Sequence, residues 1–308
     1  MKKRLLFLLK IVVTAGLILW LIDSVDWQSV LTELKEVSYP LLFLYVIFQL
    51  LGNVISAKKW QTIAHFKGLS FSLKEGFFTY LTGSFINNFL PSTIGGDTYR
   101  ALWLAKKSEA KAASISTVIF DRFIGLWTIA LLSLICSPIL LPYAKGHPAL
   151  LITYGVLVLF FFVDLLITYV YCKQWFHQFV SHLPFFKLRR FLEEIIFYTK
   201  KHIWFTTSMW SILFIFVGLV LSNFTLFHAL GSTVHILPFA SVMFLVAIVS
   251  SLPLSINNIG IKEWAYITFF GLIGVSIETA VTVALLSRFI QMLLSFIALP
   301  HYLASRRK

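Results

Sequence analysis

The sequence predicts an all-α polytopic membrane protein with about six transmembrane helices plus two re-entrant broken-helix hairpins, arranged as an inverted repeat. Three observations carry that prediction. Hydrophobic residues make up 58% of the chain and charged residues only 13%, far from the composition of soluble domains. Several apolar runs reach the roughly 20 residues that a bilayer requires. Two further apolar segments, each interrupted by Pro and Gly, recur in corresponding places of the two halves. The whole chain, 1–308, reads as one integral-membrane domain, because no stretch between the apolar runs has the length of a soluble catalytic domain.

The full spans fall at about 5–22, 39–57, 113–135, 149–171, 203–229 and 279–302. The first follows Lys2, Lys3 and Arg4, but its apolar stretch is longer than the core of a signal peptide, and no small-residue cleavage site precedes Asp23. It is therefore read as a span. Residues 26–37 suit a short outer helix with Val30, Leu31 and Leu34 turned inward. Residues 77–90 and 97–107 form two short arms joined at 91–96; residues 239–252 and 261–273 form another pair joined at 253–260. Each arm is too short to cross alone, and each pair suits a hairpin that enters and leaves on one side. Between the fourth and fifth spans, Leu188, Phe191, Leu192, Ile195, Ile196 and Thr199 follow helical spacing, flanked by Lys187, Arg189, Arg190, Lys200 and Lys201. That pattern suits a helix lying on an anionic leaflet.

The basic residues set the orientation. Of 26 Lys and Arg, twenty fall in segments on the side of the termini, Lys58 and Lys59 among them. Only Lys35 and Lys145 fall in outer loops. By the positive-inside rule both termini are cytoplasmic, and the first hairpin enters from the cytoplasm while the second enters from outside. Arg100, Arg122, Lys262 and Arg288 remain at membrane depth. The two cysteines, Cys136 and Cys172, sit at opposite ends of one span, so no disulfide is expected, and neither they nor the histidines show metal-ligand spacing. No cofactor, metal or nucleic acid is implied.

A charge at the bilayer centre costs about 2.5–3.5 kcal/mol on insertion scales, so residues kept there need a partner, water or a ligand. Asp121 cannot simply neutralise Arg122, because neighbours on a helix point about 100° apart. The expected partners are Asp97, or a bound anion, for Arg122, and Glu263 for Arg288. Asp97 and Arg100, three residues apart, can also pair on their own helix. Pro91, Gly95 and Gly96 break the first segment; Pro253 and Gly260 break the second. Helices restarting after Gly96 and Gly260 would present unpaired N–H groups and the positive end of their dipoles. Asp97 and Asn258 suit the cap positions there, and for Asp97 capping and a part in transport stay open. Two such termini meeting near the midplane, with Asp97, Arg100, Arg122, Lys262, Glu263 and Arg288 around them, would make a cationic centre for a phosphate group. Asp164, inside the fourth span, has no assigned role.

On these residues the chain resembles the lysylphosphatidylglycerol synthase transmembrane family, also called flippase-like domain proteins. The resemblance covers about 5–303. It is carried by Asn87, Asn88, Phe89, Leu90 and Pro91 through Gly95, Gly96 and Asp97 with Arg100, then Asp121 and Arg122. Leu252 and Pro253 through Gly260, Ile261, Lys262 and Glu263, and then Arg288, complete it. One departure is the turn at Asn257, Asn258 and Ile259, which is less glycine-rich than relatives. The family includes the flippase half of the multiple peptide resistance factor, where a separate cytosolic domain makes the aminoacylated lipid.

The resemblance thus implies a lipid translocator and no lipid-synthesising enzyme, since the sequence ends at Lys308 without such a domain. The implied partner is a phosphate-bearing lipid: an anionic or aminoacylated phospholipid, or a polyprenyl-phosphate-linked lipid. The expected location is a bacterial inner membrane. The alternatives are an integral-membrane transferase acting on lipid-linked substrates, or the membrane subunit of such an enzyme. A homodimer or a partner lipid-modifying enzyme also stays open.

Overall fold

A computed structural model describes residues 2–90, 94–143, 148–171, 178, 193, 197–199, 201–252 and 255–306. The described residues form a helical bundle without strands. The helices run α1 (Lys2–Ser24), α2 (Trp27–Lys35), α3 (Tyr39–Phe66), α4 (Leu73–Phe89), α5 (Ile94–Ser108), α6 (Lys111–Leu140) and α7 (Pro148–Tyr171). They continue as α8 (Lys201–Phe214), α9 (Ser222–Ala229), α10 (Ile236–Ser251), α11 (Ile261–Gly271), α12 (Ile277–Ser295) and α13 (Leu299–Arg306). A π-helical segment, Ile215–Leu221, joins α8 to α9 without a break.

Four stretches are long and apolar enough to cross a membrane by themselves: Tyr39–Phe66, Lys111–Tyr143, His202–Ala229 and Ile277–Leu303. The first expected span is met by Lys10–Ser24, which meets α2 at a bend of 79°. The expected span at 149–171 is α7, whose shorter apolar stretch presents large exposed side chains such as Ile152 and Phe162, as a lipid-facing helix does. The two expected hairpins are present as α4 with α5 and α10 with α11. Their arms are 17, 15, 16 and 11 residues long, or about 16–26 Å at about 1.5 Å per residue. All but the last are longer than their sequence boundaries. At α4, Ser72 and Glu75 form a reciprocal capping box, which starts the helix four residues before the run. Lys107 on α5 closes the base of this hairpin onto Glu75 and holds that carboxyl below the ordinary carboxylate range.

The main core gathers α3, α6 and α9–α12 around Phe227, Phe239, Phe244, Tyr266, Phe269 and Phe270. A second core, on Trp60, Phe71 and Leu104, packs the first hairpin against α3. The short outer helix forms as expected, capped by Asp26, and buries Val30 with Leu34 beside it. Leu31 does not turn inward: it is 58% exposed, lying about 100° round the helix from the buried Val30. The surface helix expected around 187–201 lies outside the described residues, apart from a 3-10 turn at Phe197–Thr199. Pro91, Pro253 and Cys172 also lie outside them. Cys136 is a free thiol.

Helix α3 approaches the π-helical segment through two glycines. A Cβ at Gly52 would sit 2.7 Å from the Gly218 Cα, and the reverse substitution would be equally crowded. Both obstacles are backbone. Gly52→Ala is expected to cost about 1–3 kcal/mol of stability through overpacking, read as a lowered unfolding temperature in detergent.

Candidate functional site

Two ion pairs occupy equivalent places in the two halves. On α5, Asp97 accepts from Arg122 Nε of α6 at 2.7 Å. On α11, Glu263 accepts from Arg288 Nη2 of α12 at 2.9 Å, and Nε also points at it. The partners are 25 residues apart in both cases. Both pairings match the expectation from sequence, and a shift of one fixed register superimposes 96, 97, 100, 121 and 122 on 262, 263, 266, 287 and 288. Each arginine lies eleven residues into a helix, since α6 starts at Lys111 and α12 at Ile277, or about 16 Å from its start.

Behind the first pair sits a buried network. Arg100 donates from Nη2 to Asp121 Oδ2 at 2.7 Å and from Nη1 to Asp97 at 3.3 Å, so it bridges two carboxylates. Lys59 Nζ lies 3.0 Å from Asp121, and the Tyr80 hydroxyl donates to the same carboxylate. The Arg100 guanidinium stacks 3.7 Å from the Tyr80 ring centre and 4.6 Å from Trp60. Charges alternate along Lys59, Asp121, Arg100, Asp97 and Arg122, which offsets the desolvation of each. Arg122 ends the chain: its side chain is 54% exposed, and no hydrogen bond occupies its Nη groups among the described residues.

The second pair is built differently. Arg288 donates to the carbonyl oxygens of Asn257 at 3.0 Å and Asn258 at 3.1 Å as well as to Glu263. Both asparagines have left-handed backbone, φ 49° and 57°, a conformation in which Asn is tolerated. The arginine thus ties the turn to the helix that follows. Lys262 donates to Ser287 Oγ at 2.8 Å. Tyr266 occupies the place equivalent to Arg100 and donates to Asn223 of α9 at 2.9 Å.

Three expectations are corrected. The first restart begins at Ile94, so Asp97 lies inside the first turn and caps nothing; the Gly96 N–H is met instead by Asn87 Oδ1 at 2.7 Å. The second restart follows Gly260, but Asn258 is no cap: its amide donates back to Ser250, while Glu263 accepts from the Gly260 N–H at 2.7 Å. These contacts use helix-start donors at both restarts. Finally, Lys59, counted as a surface charge, is buried, because α3 continues to Phe66 rather than stopping at 57.

Sequence reasoning also missed Tyr80, Ser287, and Asp121 as the centre of the first network. The constant 25-residue spacing was a legible signal for Asp121 and Ser287; nothing marked Tyr80.

Helix α3 measures the separation of the two clusters. Tyr45 donates to the Ser287 carbonyl at 3.4 Å, and Lys59 donates to the Asp121 carbonyl at 3.2 Å. Fourteen residues of α3 between them span about 21 Å. In this structure the ion pairs are therefore two stations rather than the two jaws of one clamp. Among the described residues, no cluster of three His, Cys, Asp or Glu could hold a metal ion. A cavity of about 380 Å³ opens between the loops at 230–238 and 273–279, and its lining includes no member of either ion-pair cluster.

Comparison with known proteins agrees with the helical plan. Residues 7–298 match a family model described as the lysylphosphatidylglycerol synthase TM region. A relative, UPF0104 membrane protein MJ1595 of Methanocaldococcus jannaschii, is 33% identical over 107 residues. That match covers 34% of this chain and 32% of the relative, so the chain spans about a third of that relative's length. With the family model matching nearly the entire bundle, the chain, an integral multi-pass membrane protein, belongs to the lysylphosphatidylglycerol synthase transmembrane region family.

Proposed function

We propose that this protein moves a phosphate-bearing lipid between leaflets and performs no bond chemistry of its own. The observation that carries this reading is the pair of ion pairs, Arg122 with Asp97 and Arg288 with Glu263, at one sequence spacing in the two halves. Each sits where a short helix restarts against a helix interior, the place where membrane transporters of inverted-repeat construction bind substrate. The distribution of lysine and arginine supports cytoplasmic termini, and the membrane in this reading is a bacterial inner one. In that orientation the Arg122 station faces the inner half of the bilayer and the Arg288 station the outer half.

In this reading a headgroup phosphate engages the Nη groups of Arg122, which nothing else in the described structure occupies, while the acyl or prenyl chains stay in lipid. Asp97 holds the guanidinium when the headgroup is absent, and Arg100 and Asp121 hold Asp97. The large exposed apolar side chains of α1 and α7 give the chains a lipid-facing surface. Passage to the second station requires one hairpin to move against the other.

Quantifying the lipids that co-purify with the protein tests this. A phosphate-bearing lipid enriched several-fold over its share of the source membrane is the expected result. A bound fraction identical in composition to the bulk membrane would count against selective recognition.

A further inference from the structure

We infer that Lys262, and not Arg288, is the anion-binding group of the second hairpin, and that it takes a phosphodiester headgroup whose net charge is minus one. This rests on the lipid-translocator reading above and assigns the contact at its outer station.

The inference begins from how the cations of the two halves are spent. Arg288 uses Nε, Nη1 and Nη2 on Glu263 and on the carbonyl oxygens of Asn257 and Asn258. It is a latch on the turn and has little left to offer a ligand. Lys262 has only the Ser287 hydroxyl, a neutral partner, and stands 5.6 Å from the Tyr266 ring centre. No carboxylate among the described residues lies within ion-pair distance of it; Glu263 is committed to Arg288 and the Gly260 N–H. Residue Lys262 as a whole is half-buried, with its ammonium set against Ser287 and Tyr266. A partly desolvated ammonium beside a guanidinium, without its own counter-ion, is destabilised until an anion arrives.

The comparison between halves makes the same point. At the place of Lys262 the first half has Gly96, and a Cβ there would collide with the Gly83 carbonyl. No side chain fits. The first half instead places its extra cation at Arg100 and neutralises it with Asp121, whose equivalent in the second half is Ser287. The second half has therefore kept a cation and given up the matching carboxylate. Its balance is Lys262 and Arg288 against Glu263, one positive charge in excess. In the first half Lys59, Arg100 and Arg122 against Asp97 and Asp121 leave the same single excess. One net negative charge satisfies each station, which is what a phosphodiester headgroup without a cation of its own carries; a zwitterionic headgroup brings none, and a phosphomonoester dianion would overshoot.

The test uses full-length protein in detergent and measures unfolding temperature and affinity. The added probes are dioleoylphosphatidylglycerol, dioleoylphosphatidylcholine and inorganic phosphate. Arg122→Met serves as background, so that only the second station remains. In that background phosphatidylglycerol should raise the unfolding temperature, with little shift from phosphatidylcholine or free phosphate. Adding Lys262→Met should weaken phosphatidylglycerol binding at least tenfold, yet leave the lipid-free unfolding temperature equal or higher. Lys262→Arg should restore binding.

A structural lysine would behave oppositely. If Lys262→Met lowers the lipid-free unfolding temperature, or keeps full phosphatidylglycerol affinity, the assignment is overturned. An equal shift from free phosphate overturns the lipid part of it. No phosphatidylglycerol shift in the background protein also overturns it, whereas the translocator reading stands or falls separately on lipid movement in vesicles.

Discussion

Asp121→Asn is expected to destabilise the protein by about 3–5 kcal/mol, the cost of removing one partner from a buried ionic cluster. The carboxylate is 3% exposed, accepts from Arg100 and Tyr80, and stands 3.0 Å from the Lys59 ammonium. Asparagine preserves its shape but leaves Lys59 without its counter-charge and Arg100 with only the longer contact to Asp97, both cations being nearly as buried. Arg100 cannot turn to water, because Tyr80 and Trp60 cover it. The damage should spread to the α4–α5 hairpin, since Arg100 is also what steadies Asp97. Tyr80→Phe removes one hydroxyl from the same carboxylate and should cost only about 1 kcal/mol. Unfolding temperatures in detergent separate the two. An Asp121→Asn protein as stable as the wild type would mean that the network does not hold the hairpin.

Alanine at the two intramembrane arginines should give unequal results. Arg122 is half exposed and forms one ion pair, so Arg122→Ala should change stability by less than about 1 kcal/mol. Its loss from the lipid path should nonetheless slow lipid movement about tenfold or more, because a charge-assisted hydrogen bond is worth about 1.5–3 kcal/mol. Arg288→Ala removes the tie on two left-handed residues and strands the buried Glu263, which is 2% exposed. Stability and lipid movement should fall together. Parallel measurement of unfolding and of transport in vesicles distinguishes the patterns. Equal stability losses at both positions would contradict the assignment of Arg122 as the free group and Arg288 as the latch.

Much of this architecture was legible before any coordinates. The spans and hairpin arms follow from apolar run length; the partner of Arg122 follows from helical geometry, which turns Asp121 away and leaves Asp97, and that of Arg288 from the place of Glu263 beside the second break. Charge class alone could not locate Lys59. A lysine just beyond an apolar run reads as a surface residue, and only the continuation of α3 to Phe66 carries it inside against Asp121. Capping was misjudged for a related reason. Asp97 and Asn258 have the chemistry of caps, but Asn87, nine residues back, reaches the Gly96 N–H across the hairpin, and Glu263, three residues on, takes the Gly260 N–H as the acidic member of a capping box. Sequence showed that two cationic places exist. It did not show that α3 keeps them about 21 Å apart.

The central claim is that the two stations form a path for a lipid headgroup. Fluorescent phosphatidylglycerol and phosphatidylcholine in the inner leaflet of proteoliposomes, made accessible to an outside quencher only by crossing, measure that path directly. The account predicts that phosphatidylglycerol crosses faster than in protein-free vesicles and faster than phosphatidylcholine, and that Arg122→Ala abolishes most of the difference. Crossing rates equal to those of protein-free vesicles, or a rate unchanged by Arg122→Ala, would contradict it.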